Sequence, residues 1–311
     1  MNPIICIAGP TASGKTALAV ELALALDGEV VSCDSMQVYK RMDIGTAKPT
    51  PEERRGIPHH MIDVAEPWED YSVSRYCAQA APIVEEIVAR GKTAIIAGGT
   101  GLYLDSLIRG NDFAPFPSTG VREQLEAQAD REGIAVLFAQ LQQIDPAAAA
   151  RLPLSDRKRI VRALEVYLET GETITAHNLR TQQQPPRFAP VWLGLDFESR
   201  ADLYSRIDAR VGQMLEAGLL EEIRSLLAAG IPEKCTAMQA IGYKEFTAAL
   251  EGRCTIDQAA DLVRQSSRRY AKRQLTWFRR NREIHWLVRR PGQTDAEILA
   301  QARQLLQEND R

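Results

Sequence analysis

An α/β fold, a parallel sheet interrupted by a helical insertion, is predicted by three features of the 311-residue sequence. Short apolar, β-branched runs alternate with helix-period stretches through the first hundred residues. A glycine-containing loop joins the first run to the first helix. Residues 120–182 carry helical patterning with no clear strand, and an apolar run returns at 191–197.

Residues 3–8 (PIICIA) have the composition of a buried parallel strand, and GPTASGKT then leads into the helix-like ALAVELALAL. EVVSCDS at 29–35 and KTAIIAGG at 92–99 read as further buried strands, the second preceded by a helical pattern over 74–90. This alternation places ligands at the carboxyl ends of the strands. FAPFPSTG, starting at residue 113, and TQQQPPRFAP, starting at 181, are Pro-rich linkers on either side of the helical stretch. VWLGLDF (191–197) reads as a returning core strand. The expected division is a core of residues 1–112 and 190–311, with C-terminal helices, and an insertion of 113–189 lying as a flap over the active edge of the sheet. Beyond residue 197, helical periodicity is expected to continue to the end, with Leu203, Ile207, Val211 and Met214 on one face, Gly218 an interruption and Gly230 a C-terminal cap.

Hydrophobic residues at 45% and charged residues at 25% fit a folded globular chain, not a disordered one. The opening MNPIICIAGP has no basic leader, and its apolar run soon meets Gly, Thr and Lys, so neither a signal peptide nor a membrane span is expected and the reading is cytoplasmic. Five scattered cysteines without a CxxC pair, and four histidines without ligand spacing, argue against structural zinc. His59 and His60 are adjacent and would point to opposite faces of a strand, which favours ordinary packing and hydrogen bonding. A net charge of −3 hides an uneven distribution: residues 262–282 hold eight Lys/Arg and no Asp or Glu.

Gly9-Pro10-Thr11-Ala12-Ser13-Gly14-Lys15-Thr16 fits GxxxxGK[ST], a nucleotide- and ATP-binding type of motif, and lies between a strand and a helix as that motif requires. Its backbone N–H groups and helix N-terminus can cradle a diphosphate, Lys15 adds a full positive charge, and the Thr16 hydroxyl can ligate Mg²⁺. The cradle alone does not say whose diphosphate it holds. A hydrolase needs an apolar strand ending in an acidic Mg²⁺ ligand, yet TAIIA ends in Gly98-Gly99-Thr100-Gly101. VVSCD could serve instead, which leaves a small-molecule kinase using Asp34 as the alternative within this class.

Six segments in order bring in a family: GPTASGKT, DSMQVYKRMDIGTAKP (34–49), PHHMID (58–63), GGTGLYLDSLIRG (98–110), RKRIVRALEVYLETG (157–171) and KRQLTWFRRN (272–281). The chain resembles the tRNA dimethylallyltransferases, and its Cys/His count, too low for the zinc finger of the eukaryotic members, resembles the bacterial form. The resemblance implies a P-loop nucleoside-triphosphate-hydrolase-like core and transfer of a dimethylallyl group from its diphosphate to the N6 amine of the adenosine just 3′ of the anticodon, in tRNAs reading codons that begin with U. It assigns Gly9 to Thr16 to the donor diphosphate and Asp34 to the base that takes the amine proton. Arg210, in SRIDARVGQML, and Lys15 would neutralise the leaving group with Mg²⁺ on Thr16, and Thr100 would lie near the reacting centre. Arg210 as a solvated helix residue, Asp34 as a turn cap and Thr100 as a helix cap are the ordinary alternatives.

For tRNA, the resemblance implies contacts from Asp34, Ser35, Met36 and Gln37, with Gln37 suited to an adenine edge. Thr100 and Arg122 are also implied, with Lys158, Arg159, Ile160, Val161 and Arg162 of the insertion. Met238, Gln239, Ala240, Ile241, Gly242 and Tyr243 form another implied segment, and Lys272, Arg273, Gln274, Leu275, Thr276, Trp277, Phe278 and Arg279 the last. The residues themselves support the last segment: Val263, Tyr270, Ala271, Leu275, Trp277 and Phe278 share one helical side, and the cations take the other. The expected partners are the tRNA anticodon stem-loop, held by flap and C-terminal helices from two sides, and dimethylallyl diphosphate, bound by a monomer. A transferase acting on free adenylate and an RNA-binding ATPase are the competing functions.

Overall fold

The computed structural model describes residues 4–111 and 119–309; Pro3 of the first expected strand, the expected boundary at 112/113 and all but the end of the FAPFPSTG linker lie outside the described residues. The chain divides into two compact units, Met1–Ile108 with Arg187–Arg311, and Arg109–Pro186.

The first unit holds a six-stranded parallel sheet in the order β3-β2-β4-β1-β5-β6. Its strands are β1 (Ile4–Ala8), β2 (Gly28–Ser32), β3 (His59–His60), β4 (Thr93–Gly98), β5 (Val191–Phe197) and β6 (His285–Arg289). The four apolar runs read from sequence are the four central strands. Because side chains alternate across a strand, Ile5 and Ile7 enter one core layer with Leu18, Leu22, Leu193 and Leu306, while Cys6 and Ala8 enter the other with Val84, Ile87 and Leu104. The Lys15–Ala25, Val73–Ala89 and Gly101–Arg109 helices follow as the alternation requires.

The expectation of uninterrupted helix after residue 197 is corrected by β6, which pairs with β5 from Leu193↔His285 to Phe197↔Arg289. The HWLVR segment is an edge strand whose Leu287 and Arg289 are buried and whose Val288 is exposed, so it alternates instead of running apolar throughout. Gly218, at φ 99°, separates the Arg200–Glu216 and Leu219–Ala228 helices. The Ile256–Phe278 helix, 23 residues long, starts at a capping box between Thr255 and Gln258.

The second unit is helical among its described residues. Its Val121–Glu132, Ile134–Ile144 and Arg157–Thr170 helices bury Leu125, Leu137, Leu141, Ile160, Val161 and Leu164 around a core of their own. No helix of the described residues is long and apolar enough to cross a membrane.

Candidate active site

At the end of β1 the chain turns through residues 9–14 into the Lys15–Ala25 helix, with Gly14 at φ 92° as its N-cap. No side chain caps that helix, so its N-terminal N–H groups keep their capacity for a ligand. Two other helices brace the loop: Thr11 N–H donates to Gln274 Oε1 at 2.9 Å, and Arg206 Nε to the Ala12 carbonyl at 3.0 Å. Gln274 is buried and donates from Nε2 to the Gly99 carbonyl at 2.9 Å, tying the phosphate loop to the end of β4. Lys15 folds back so that Nζ donates to the Pro10 carbonyl at 2.7 Å. Desolvation of its ammonium, and then the neighbouring Arg210, push its pKa down to about 7 against the opposing pull of Asp34. Thr16 is exposed on the first turn, and the buried Ser13 hydroxyl has no hydrogen-bond partner among the described residues.

Asp34 lies just beyond β2. Its Oδ1 accepts from the N–H groups of Met36 at 2.9 Å and Gln37 at 3.4 Å, which is the turn cap foreseen as an alternative. Oδ2 has no hydrogen-bond donor among the described residues, so one carboxylate both caps and presents a free oxygen. Thr100 similarly has two roles: its carbonyl accepts from Tyr103 and Leu104 to start a helix, and its hydroxyl accepts the Ser35 N–H at 3.1 Å. Arg210 is no solvated helix residue. Its guanidinium makes no hydrogen bond or ion pair among the described residues, and burial lowers its pKa while Asp34 opposes that shift.

Asp34 and Arg210 line a cavity of about 390 Å³ that the phosphate loop reaches through Thr11. Thr11, Asp34, Ser35, Arg210, Tyr270 and Arg273 supply polar lining, and Met36, Ile207, Val211, Met214, Ile241 and Val263 an apolar wall. Tyr270, expected to face the core, instead lines this cavity; burial and then Asp34 push its hydroxyl up to about 12.

Several residues implied to touch tRNA have other work. The Gln37 carboxamide accepts from Ser32 Oγ at 2.8 Å and donates to the carbonyls of Thr46 at 3.3 Å and Ala47 at 3.1 Å, so it braces its own loop and has no free face for a base edge. Met238, Tyr243, Gln274, Leu275 and Phe278 are buried in the first unit, and Ile160 and Val161 in the second, so their side chains form the frame. Trp277 is half-buried, its indole N–H donating to Asp105 Oδ2 at 2.8 Å. Gln239, Ala240, Ile241 and Gly242 line the cavity. Lys158, Lys272 and Thr276 are exposed.

The basic stretch is partly neutralised by acids outside it, on its own helix and on other elements. Arg279 pairs with Asp196 at 2.8 Å, Arg264 with Asp261 at 2.7 Å, and Arg268 with Asp208. Arg273 and Arg280 lie over the rings of Tyr270 and Trp277. In the second unit Arg122 and Arg162 share Glu165, at 2.7 and 3.0 Å, and Arg159 pairs with Asp156 at 2.9 Å. The bridging role of Gln274 and the cavity position of Tyr270 escaped the sequence reading; both come from the long basic helix, where helical period alone separates core from surface but not core from cleft.

Residues 37–281 match the model of the IPP transferase family. A tRNA dimethylallyltransferase of Carboxydothermus hydrogenoformans is 49% identical over 284 residues, covering 91% of each chain. One from Geobacter sulfurreducens is 48% identical over 289 residues, again covering 91% of each. Among solved structures, the full-length tRNA isopentenylpyrophosphate transferase of Bacillus halodurans is similar at 40% identity and a TM-score of 0.73, over 98% of this chain and 96% of that one. A eukaryotic dimethylallyltransferase solved acting on tRNA gives 32% identity and a TM-score of 0.79, over 93% of this chain and 74% of that one. With a phosphate loop, an acidic residue and an apolar wall around one cavity, and with relatives this similar along nearly its whole length, the chain belongs to the IPP transferase family.

Proposed function

We propose that the chain transfers a dimethylallyl group from dimethylallyl diphosphate to the N6 amine of the adenosine 3′-adjacent to the anticodon, in tRNAs reading codons that begin with U, giving N6-isopentenyladenosine and diphosphate. The observation that carries this reading is a cavity in which Arg210, without an ion pair among the described residues, and a carboxylate with one free oxygen stand beside an apolar wall, with the Lys15 ammonium close enough to feel both charges. In the reaction the N6 lone pair forms a bond to the allylic C1 while the C1–O bond breaks and its electron pair leaves with the diphosphate. The N6 proton passes to Asp34 Oδ2, which needs no rearrangement because Oδ1 alone holds the turn. Lys15 and Arg210 neutralise the departing charge, and the diphosphate in turn favours the protonated form of Lys15. The Thr100 hydroxyl fixes Ser35, and so Asp34, against the end of β4.

Thr16 on the exposed first turn would hold Mg²⁺, which when bound adds positive charge to the leaving group. The described residues contain no cluster of three or more His, Cys, Asp or Glu that could hold a metal, so a cation there would take most of its ligands from the diphosphate, as Mg²⁺ commonly does. Arg269, Lys272 and Arg273 of the first unit and Lys158 of the second are assigned to tRNA phosphates, with the insertion acting as a flap on the anticodon stem-loop. The protein works as a cytoplasmic monomer in this reading.

The test is labelled dimethylallyl diphosphate supplied with tRNA, with free adenylate and with no acceptor, each with and without Mg²⁺. Label is expected in tRNA alone and only with the metal. Equal incorporation into adenylate would move the chain to the free-nucleotide transferases, and RNA-stimulated ATP hydrolysis without transfer to the ATPases.

A further inference from the structure

We propose that Glu222 is a positioning residue that sets the acceptor-side wall of the cavity by clamping the backbone of Asp43, Ile44 and Gly45; the inference rests on the transferase reading above. Glu222, on the Leu219–Ala228 helix, draws four donors onto one carboxylate. Its Oε2 accepts the N–H groups of Asp43 and Ile44, both at 2.7 Å, and its Oε1 accepts the Gly45 N–H at 3.1 Å and the Tyr243 hydroxyl at 2.6 Å. Three successive backbone N–H groups turned to one point make a nest for an anion, and bonds to a charged acceptor are the strong kind. Here the anion belongs to the chain itself. No Lys, Arg or His forms an ion pair with Glu222 among the described residues, so its charge is balanced by these dipoles alone.

The clamp leaves its loop little play. Tyr243 is fully buried, and a Cβ placed on Gly45 would lie 2.5 Å from its ring, so only glycine fits between the clamp and the tyrosine. The buried Lys48 ammonium also ties the loop, donating to the Tyr39 carbonyl at 2.6 Å and to Asp43 and Asp63 at 2.6 and 2.5 Å. The next two residues beyond the clamped N–H groups of Asp43 and Ile44, Gly45 and Thr46, line the cavity.

The Arg200–Glu216 helix touches the phosphate loop, and the turn just past its end lies near the 34–48 loop. Arg206 touches the phosphate loop at Ala12, and from Arg206 to the end of the helix at Glu216 the axis rises about 15 Å. Just past that end, a Cβ placed on Gly218 would lie 4.0 Å from the Ile44 side chain. Gly45 and Thr46 belong to the loop that carries Asp34, the base assigned to the acceptor amine, whereas the phosphate loop reaches the cavity through Thr11, so the clamp bears on the acceptor side. A carboxylate that merely stabilised the fold would affect both substrates alike. Glu222 should act on one.

The test compares wild type with Glu222→Gln, Tyr243→Phe and, as a neighbouring exposed control, Glu221→Gln. Two readouts are taken: KM and kcat for each substrate, and backbone amide exchange at residues 43–45. Glu222→Gln is expected to lower kcat/KM for tRNA by about tenfold or more, the worth of one charge-assisted hydrogen bond, with KM for the donor within about twofold. Amide exchange at 43–45 is expected to rise by a similar factor while β1 and β4 stay protected, and Tyr243→Phe should move both readouts in the same direction by less. Glu221→Gln should leave both unchanged. If Glu222→Gln does not fold, Tyr243→Phe alone decides. Equal losses for donor and acceptor, or unaltered exchange at 43–45, would overturn the proposal. The exchange readout needs no substrate, so a wild-type chain that transferred nothing to tRNA would sink the proposed reaction while still leaving the clamp tested.

Discussion

The phosphate loop and the 34–48 loop bound the same cavity and treat their polar groups in opposite ways. Around the phosphate loop, polar capacity is left unspent: the helix at Lys15 has no side-chain cap, the Ser13 hydroxyl is buried without a partner among the described residues, and Arg210 is desolvated without an ion pair among them. Along the 34–48 loop nearly every group is spent, with Gln37, Lys48 and Glu222 each holding several backbone or carboxylate atoms. Unmet buried donors cost stability until a ligand arrives, whereas a loop braced from several sides can hold a reactive group still. Binding energy therefore enters the molecule at the phosphate loop, and geometry is stored in the 34–48 loop. Asp34 sits at the junction, with one oxygen in each regime.

That position makes Asp34→Asn the sharpest break. Asparagine keeps an Oδ1 to cap Met36 and Gln37 but cannot take a proton, so we expect the single-turnover transfer rate to fall by roughly 10² to 10⁴ with both substrates still binding. A near-normal rate would remove the carboxylate from the base role. Arg210→Ala should come next, lowering kcat/KM for the donor by about 10² to 10³ while tRNA affinity holds, since the residue is assigned only to the leaving group. Selective loss of tRNA binding would reassign it.

Lys15 offers a pH test of the unspent region. Its folded pKa of about 7 lies below the ordinary 10.5, so between those values the unfolded chain binds more protons and stability rises with pH. The penalty for burying the charge is therefore fully present below pH 7 and fades toward 10.5. Thermal melts of the ligand-free protein should show Lys15→Met more stable than wild type at pH 6, with the gap closing by pH 10. A gap that widened with pH would contradict the assignment.

The smallest effect concerns the basic helix. Lys272→Ala with Arg273→Ala should flatten the salt dependence of tRNA binding by roughly 0.7 to 0.9 log unit for each phosphate that the variant no longer neutralises. Arg279→Ala should add less, because Asp196 already holds that guanidinium. An equal contribution from Arg279 would show that RNA displaces the ion pair.

Local signals were legible in the sequence and distant pairings were not. Four central strands announce themselves as continuous apolar runs because both of their faces are buried; β3, two residues long, and the edge strand β6 carry no such run. The phosphate loop is a contiguous motif and could be read directly. Asp34, Thr100 and Arg210 entered through resemblance; Asp34 and Arg210 line one cleft, Thr100 is tied to it through Ser35, and Lys15 lies near enough to feel both charges. Glu222 was invisible, since its partners Asp43, Ile44 and Gly45 lie 177 to 179 positions away. Separations of 60 and 83 positions likewise hid the neutralisation of Arg268 by Asp208 and of Arg279 by Asp196, and a segment without acids looked more cationic than its surface is.

The contrast between an unspent and a braced end of one cavity is tested most directly by equilibrium binding of dimethylallyl diphosphate to four proteins: wild type, Lys15→Met, Arg210→Ala and Glu222→Gln. Removing one charge-assisted hydrogen bond to the diphosphate should raise Kd by about tenfold or more in Lys15→Met and Arg210→Ala. Glu222→Gln should bind the donor as wild type does. A Kd unchanged in the first two variants, or raised equally in all three, would contradict the division of the cavity into a donor end and a braced acceptor wall.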